Sequence, residues 1–273
     1  MALGGSALHR VGRSAPLLLT RLEGTYRLAN TLGRGLLAAL GTKIRISGAE
    51  NLPKSGPMIV AANHISYVDF LVIGKVAASR GRYVRFLARY DTWTASTGWA
   101  MSGMGHIPVN RAAPAGALLE TRARLREGEV VGLFPEAGIS DSFTVRSMMK
   151  GAAALSRDTD IPVIPVAMWG AQRIYTVGIP EPKPDLTRNR LIDVVVGEPM
   201  APQQDLAAFT CALGERLTQM LEGLQTLPEH RPLQGERAPW YPAHLGGHAP
   251  TREEAREFEP MPKSAIAPTW GPL

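Results

Sequence analysis

His64 and Asp69 stand five residues apart at the end of a short apolar run, Met58-Ile59-Val60-Ala61-Ala62. An aspartate that accepts a hydrogen bond from one imidazole nitrogen fixes the tautomer and leaves the other nitrogen as a general base. The run is bounded upstream by Pro53, Ser55, Gly56 and Pro57 and followed by Ser66, so it reads as a buried strand that ends just before a helix begins. His64 then sits at a strand tip, where functional side chains collect. The same residues carry a plainer reading. Ser66 followed three residues later by Asp69 matches a capping box opening an apolar helix over 67–78, with Asp69 serving only as a cap. In that geometry Asp69 lies in the first helical turn, within reach of a His64 in the preceding loop, so the spacing leaves both roles open.

Holding such a pair requires a scaffold, and the hydropathy pattern predicts one. Strands are expected over 43–47, 58–62, 83–88, 107–109, 130–134, 162–168 and 191–196, and helices over 67–79, 112–126, 147–157 and 205–224. This alternation predicts an α/β domain with a mostly parallel sheet flanked by helices. In such sheets, sites gather beyond the strand ends. Pro162 and Pro165 would place the run 162–168 at an edge or make it irregular, and its Ile164, Val166 and Met168 read as core or as pocket wall.

Four segments in order, NHISYVD (63–69), GHIPVNR (105–111), FPEAGIS (134–140) and IPVIPVAMWG (161–170), resemble the four blocks of the glycerolipid acyltransferases. The resemblance spans roughly 45–198, and each block alone is weak. It implies that His64 is the catalytic base, oriented by Asp69, for transfer of an acyl group from acyl-CoA or acyl carrier protein to the hydroxyl of a lysophospholipid. The acceptor it implies is 1-acyl-sn-glycerol-3-phosphate. Arg111 would hold the acceptor phosphate, for which a guanidinium offers a planar bidentate fork. The resemblance also implies a basic residue just after the strand over 83–88 as a phosphate ligand, which makes Arg89 a second candidate and Arg85 a weaker one. Glu136 would organise the acceptor site through a hydroxyl or a neighbouring basic group, with Gly105 and Pro135 completing the substrate-binding set. The fourth block would shape the acyl pocket. The third block departs from the family pattern: Gly, Thr and Arg are replaced by Ala137, Gly138 and Ile139. The missing arginine points to Arg146 or Lys150 as a substitute, or to a larger headgroup. No cofactor beyond the acyl donor and no metal is expected. Cys211 is far from every block, and Ser66 has no G-x-S-x-G elbow around it. Rival readings are a non-catalytic lipid-headgroup binding protein on the same fold, and an acyl thioesterase in which water replaces the acceptor.

Composition agrees with an anionic partner. In 273 residues there are 30 Lys plus Arg against 24 Asp plus Glu, a net charge of +6, which suits phosphate headgroups, an anionic membrane surface or an acidic carrier. No nucleic-acid motif accompanies the charge, so nucleic acid is not an expected partner. One cysteine excludes an intramolecular disulfide. Neither a cleavable signal peptide nor a membrane-spanning run is expected from these residues. The segment 1–42 is expected to associate with a membrane. Within it, Leu18, Leu22, Tyr26, Ala29, Leu32, Leu36 and Leu40 recur every three or four residues opposite Glu23, Arg27, Asn30 and Arg34. They form an amphipathic helix over 15–40, whole or broken near Gly33 and Gly35. It either packs on the core or lies in the membrane interface on the cytoplasmic face. Trp93, Trp99, Met101 and Met104, among glycines, suit a lip at that interface. The acyltransferase domain is expected over 43–227. After it, nine prolines in the last 46 residues mark an irregular tail, with Trp240, Tyr241 and Leu245 as anchors.

Overall fold

The computed structural model describes residues 15–110, 113–178, 183–257, 259 and 264–267, with side chains from Gly24 onward. Its centre is the β-branched and small-residue runs of β2 (Met58–Ala62), β5 (Val130–Leu133) and β6 (Val163–Trp169), every residue of which is buried. Around them lie β1 (Lys43–Ser47), β3 (Val84–Arg89), β4 (Ile107–Val109) and β7 (Leu191–Val196), giving a seven-stranded sheet in the order β1-β7-β6-β2-β5-β3-β4. All neighbours are parallel except β6 and β7, so the five strands β6, β2, β5, β3 and β4 run one way. Their C-terminal tips therefore open on the same edge, carrying Gly170, Asn63 and His64, Phe134 to Glu136, Arg89, and Asn110. A parallel sheet must be covered on both faces.

Strand alternation divides the core accordingly. Ile59, Ala61, Val131, Val163, Ala167 and Trp169 face the layer of α4 (Ala115–Arg126), α5 (Gly151–Thr159) and α6 (Leu206–Gln225). Met58, Val60, Ala62, Ile164, Val166 and Met168 face α2 (Asp69–Ala78) and Leu37 of α1 (Ala15–Ala39). Ile164, Val166 and Met168 are thus core residues. Strand β6 is central, not an edge. Its proline is tolerated because the Pro165 carbonyl accepts from Gly197 N at 2.8 Å. The side of the proline that lacks an N–H thus faces the chain just after β7 ends, where no ladder donor is required. Gly197 leaves room there, since a Cβ would come within 2.9 Å of the Pro165 ring.

Helix α1 is continuous through Gly33 and Gly35. The Tyr26 hydroxyl donates to Val84 O at 3.0 Å and accepts from Val84 N at 3.1 Å, satisfying the start of β3 beyond the reach of the short β4. The expected single apolar stripe is split. Tyr26 and Leu37 are buried, whereas Leu28, Leu32 and Leu36 are 52%, 62% and 52% exposed. A short α3 (Gly98–Gly103) in the Gly-rich stretch was not expected; Gly103 lies against Thr25 of α1, and Trp99 stays exposed.

The segment after α6 is irregular but packed. Ala238, Tyr241 and Ala249 join the core, the Tyr241 hydroxyl donates to Gln225 O, and the Arg173 guanidinium lies 4.0 Å over the Trp240 ring. A one-turn α7 (Arg252–Ala255) opens with a capping box at Thr251.

Most of the arginines at 80–89 are spent internally. Arg80 and Arg82 donate to loop carbonyls. Arg85 is buried, ion-paired with Glu129, and bonded to Met104 O at 2.7 Å, so it is not placed as a phosphate ligand. Arg85→Ala orphans the largely buried Glu129 and should cost about 3 kcal/mol. A thermal melt should show a Tm lower by roughly 5–10 °C.

Candidate active site

The strand-to-helix turn after β2 is built around one carboxylate oxygen. Asp69, fully buried at the N-terminus of α2, accepts at Oδ2 from Ile65 N (2.7 Å), Ser66 N (2.8 Å) and His64 Nδ1 (2.9 Å). The first two bonds close the turn, and the third sets the ring. A helix N-terminus suits a carboxylate. With Nδ1 committed to Asp69, the nitrogen left for chemistry is Nε2, on a side chain 20% exposed. The ring stacks on Phe134 with centroids 4.0 Å apart. The plain capping reading holds only in part. The Ser66 hydroxyl accepts from Val68 N at 3.2 Å and bonds to the carbonyls of Ala171 and Tyr175. Helix α2 therefore starts at Asp69, two residues later than expected.

The peptide around His64 is clamped by its two neighbours in the sheet. On the β6 side, Asn63 bonds Met168 through both amide atoms, at 2.8 and 3.1 Å. On the β5 side, His64 N donates to Glu136 Oε1 at 2.7 Å and His64 O accepts from Ser140 N at 2.8 Å. Glu136 Oε2 accepts from Arg146 N at 2.9 Å. Glu136 is fully buried with both oxygens on backbone amides, so what it organises directly is the peptide of His64. Burial pushes its carboxyl up to about 8, against the pull of those two amides. Sequence reasoning missed Asn63, Phe134 and Ser140 as supports, although all three lie within the motif blocks. Partners that are backbone groups leave no mark in side-chain types.

Among the described residues, those expected to bind phosphate do not converge as a set. Arg111 lies outside the described residues. Arg89, exposed at the tip of β3, is ion-paired with Asp91. Arg146 is turned inward, donating to Ile139 O at 3.1 Å and lying 3.2 Å from the Glu259 carboxylate. Its charge is matched inside the fold, which removes it as the substitute ligand. Lys150 is exposed at the start of α5, next to Met149, whose N–H donates to Pro135 O at 2.8 Å. Gly105 is a turn residue at φ +67, where a Cβ would touch Arg85. His106, in the second block, is buried and pushed down to about 4 by burial and then by Arg85, so it stays neutral while its Nδ1 accepts from Phe86 N. Among the described residues, no group of three or more His, Cys, Asp and Glu side chains is placed to hold a metal ion.

The family model described as Acyltransferase matches residues 43–169, from the first residue of β1 to the last of β6. A chloroplastic 1-acyl-sn-glycerol-3-phosphate acyltransferase of Arabidopsis thaliana is 32% identical over 141 residues, covering 50% of this chain and 38% of that protein. The 1-acyl-sn-glycerol-3-phosphate acyltransferase of Bacillus subtilis is 24% identical over 204 residues, covering 70% of this chain and 95% of that one. The chain spans about two fifths of the length of the chloroplastic relatives it matches. The crystal structure of the 1-acyl-sn-glycerophosphate (LPA) acyltransferase PlsC from Thermotoga maritima has the same fold, at a TM-score of 0.61 and 21% identity, covering 80% of this chain and 86% of that chain. Within the matched region the third block carries a local cost. Ala137, where the family pattern has Gly, adopts φ +55, a left-handed conformation that disfavours a side chain.

Two outcomes follow from this geometry. Ala137→Gly should raise stability by about 1 kcal/mol, read in a denaturant titration. The second concerns pH. Glu136 keeps its proton in the folded chain above the pH where the unfolded chain releases it. Its contribution is complete at low pH and is lost as pH rises from about 4.5 through about 8. Glu136→Gln, which cannot titrate, should flatten the fall of unfolding free energy across that window relative to wild type.

Proposed function

We propose that the protein is a 1-acyl-sn-glycerol-3-phosphate O-acyltransferase. It would transfer a fatty acyl group from acyl-CoA or acyl carrier protein to the free hydroxyl of a lysophospholipid and form phosphatidic acid. The observation that carries this reading is His64 Nδ1 held at 2.9 Å by a fully buried Asp69 within a domain of this family. His64 Nε2 takes the acceptor's hydroxyl proton as that oxygen attacks the thioester carbonyl, and Asp69 stabilises the imidazolium that forms. The tetrahedral intermediate collapses, the C–S bond breaks, and the thiolate leaves as a thiol with the proton from His64. No covalent enzyme intermediate is needed. Arg111, Arg89 and Lys150 are the proposed source of positive charge for the acceptor phosphate.

The lipid substrates place the reaction at a membrane surface. Leu28, Leu32 and Leu36 make an exposed stripe one turn apart on α1, the adjoining α3 exposes Trp99, and Arg27 and Arg34 lie on the flank of α1 away from the leucines. This arrangement supports peripheral or monotopic docking on the cytoplasmic leaflet. Among the described residues, no helix is long and apolar enough to cross a membrane.

Purified protein with acyl-CoA should release thiol only when 1-acyl-sn-glycerol-3-phosphate is added, and His64→Ala should lower that rate by roughly 10²–10⁴-fold. Fatty acid release without acceptor identifies a thioesterase instead, and lipid binding without thiol release identifies a binding protein. Replacing Leu28, Leu32 and Leu36 together by Ser should free the protein from anionic vesicles in a flotation assay. Unchanged flotation would assign the stripe no membrane role.

A further inference from the structure

The loop that holds His64 in place, 134–149, is itself held by chain lying beyond the family domain. Asp141 N donates to Glu259 Oε1 at 2.6 Å, and the Glu259 carboxylate lies 3.2 Å from Arg146 Nε, with both side chains under a tenth exposed. Arg146 is the residue whose backbone N–H meets Glu136, and Glu136 holds the backbone N–H of His64. Two further contacts fix the same loop. Arg252 donates to the Thr144 hydroxyl at 3.3 Å, and Ile266 and Met148 exchange backbone hydrogen bonds at 2.8 and 3.0 Å. The loop thus lies between the base and the C-terminal segment. It is also where the family's arginine is replaced by Ile139.

We propose that Glu259, through its ion pair with Arg146 and its bond to Asp141 N, is a positioning residue for the catalytic histidine. The C-terminal segment would then complete the active site from outside the Acyltransferase domain. The inference rests on the reading of His64 as the acyltransfer base. Glu259 touches no reacting atom. Its effect runs through a chain of short contacts, from Glu259 to Arg146, to the Glu136 carboxylate, to the peptide of His64. A buried cation left without its anion seeks water, and the 139–146 turn it belongs to would move with it. A displacement of about 1 Å at a general base is enough to lower turnover on the order of 10²-fold. Substrate binding elsewhere at the strand tips would be largely unaffected.

The test uses the full chain, acyl-CoA and 1-acyl-sn-glycerol-3-phosphate, with wild type and His64→Ala measured beside two variants. Glu259→Gln removes the charge but keeps an acceptor for Asp141 N. Arg146→Met with Glu259→Met removes both charges, so that neither is left alone. Both variants should melt cooperatively. The double variant should lose at least tenfold in kcat with KM for each substrate within twofold, and Glu259→Gln should lose less. Near-normal kcat in the double variant overturns the proposal. So does a double variant without near-UV circular dichroism or a cooperative melt, because the pair is then a folding element only. An inactive wild type, or a fully active His64→Ala, would instead count against the underlying reading of the site.

Discussion

A single oxygen atom, Asp69 Oδ2, receives three donors: two backbone amides of the turn and the imidazole of His64. This makes the shape of the loop and the orientation of the ring one event. The turn cannot close without the carboxylate, and once it closes the carboxylate is in place for the ring. A charged acceptor in a dry site is worth more than a neutral one, because charge-assisted bonds are stronger and their loss leaves buried donors unpaired. Closing the turn and setting the imidazole ring, which compete as readings when only spacing is known, are both performed by the same atom.

The sheet supplies the rest. Because β6, β2 and β5 are parallel neighbours, the tips that follow them meet without long connections. Asn63 extends β2 toward the last turn of β6, and Glu136 and Ser140 grip the peptide of His64 from the other side. The histidine is thus set between its neighbours by backbone contacts, while among the described residues its side chain meets Asp69 and the face of Phe134. This division suits a proton-transfer site, where a rigid frame holds the base and leaves its reactive nitrogen unencumbered.

Much of this was legible in the sequence, for identifiable reasons. Strands β1, β2, β4 and β7 lie at the expected residues because Pro, Gly and polar clusters bound short β-branched runs. The four motif blocks marked His64, Asp69 and Glu136. Less legible were features set by distant partners. Helix α2 begins late because the Ser66 hydroxyl is engaged by Ala171 and Tyr175, and α5 begins at Gly151 because Met148 pairs with Ile266. Pro165 argued for an edge strand, and only the early end of β7 explains its central position. The apolar periodicity of α1 did not distinguish Tyr26, which enters the core, from Leu32 and Leu36, which face outward. Arg146 looked available for phosphate because Glu259, more than a hundred residues away, carries no local signal of their pairing.

Asp69 should hold His64 with Nδ1 protonated and Nε2 bare, ready to accept a proton from a hydroxyl. Nitrogen-15 NMR of imidazole-labelled protein, recorded where His64 is neutral, reads this tautomer directly. A protonated Nδ1 with a downfield proton and an Nε2 resonance in the unprotonated range are expected, both assigned by their loss in His64→Ala. A protonated Nε2 beside a bare Nδ1 would contradict it, because the nitrogen facing the substrate could then no longer serve as the base.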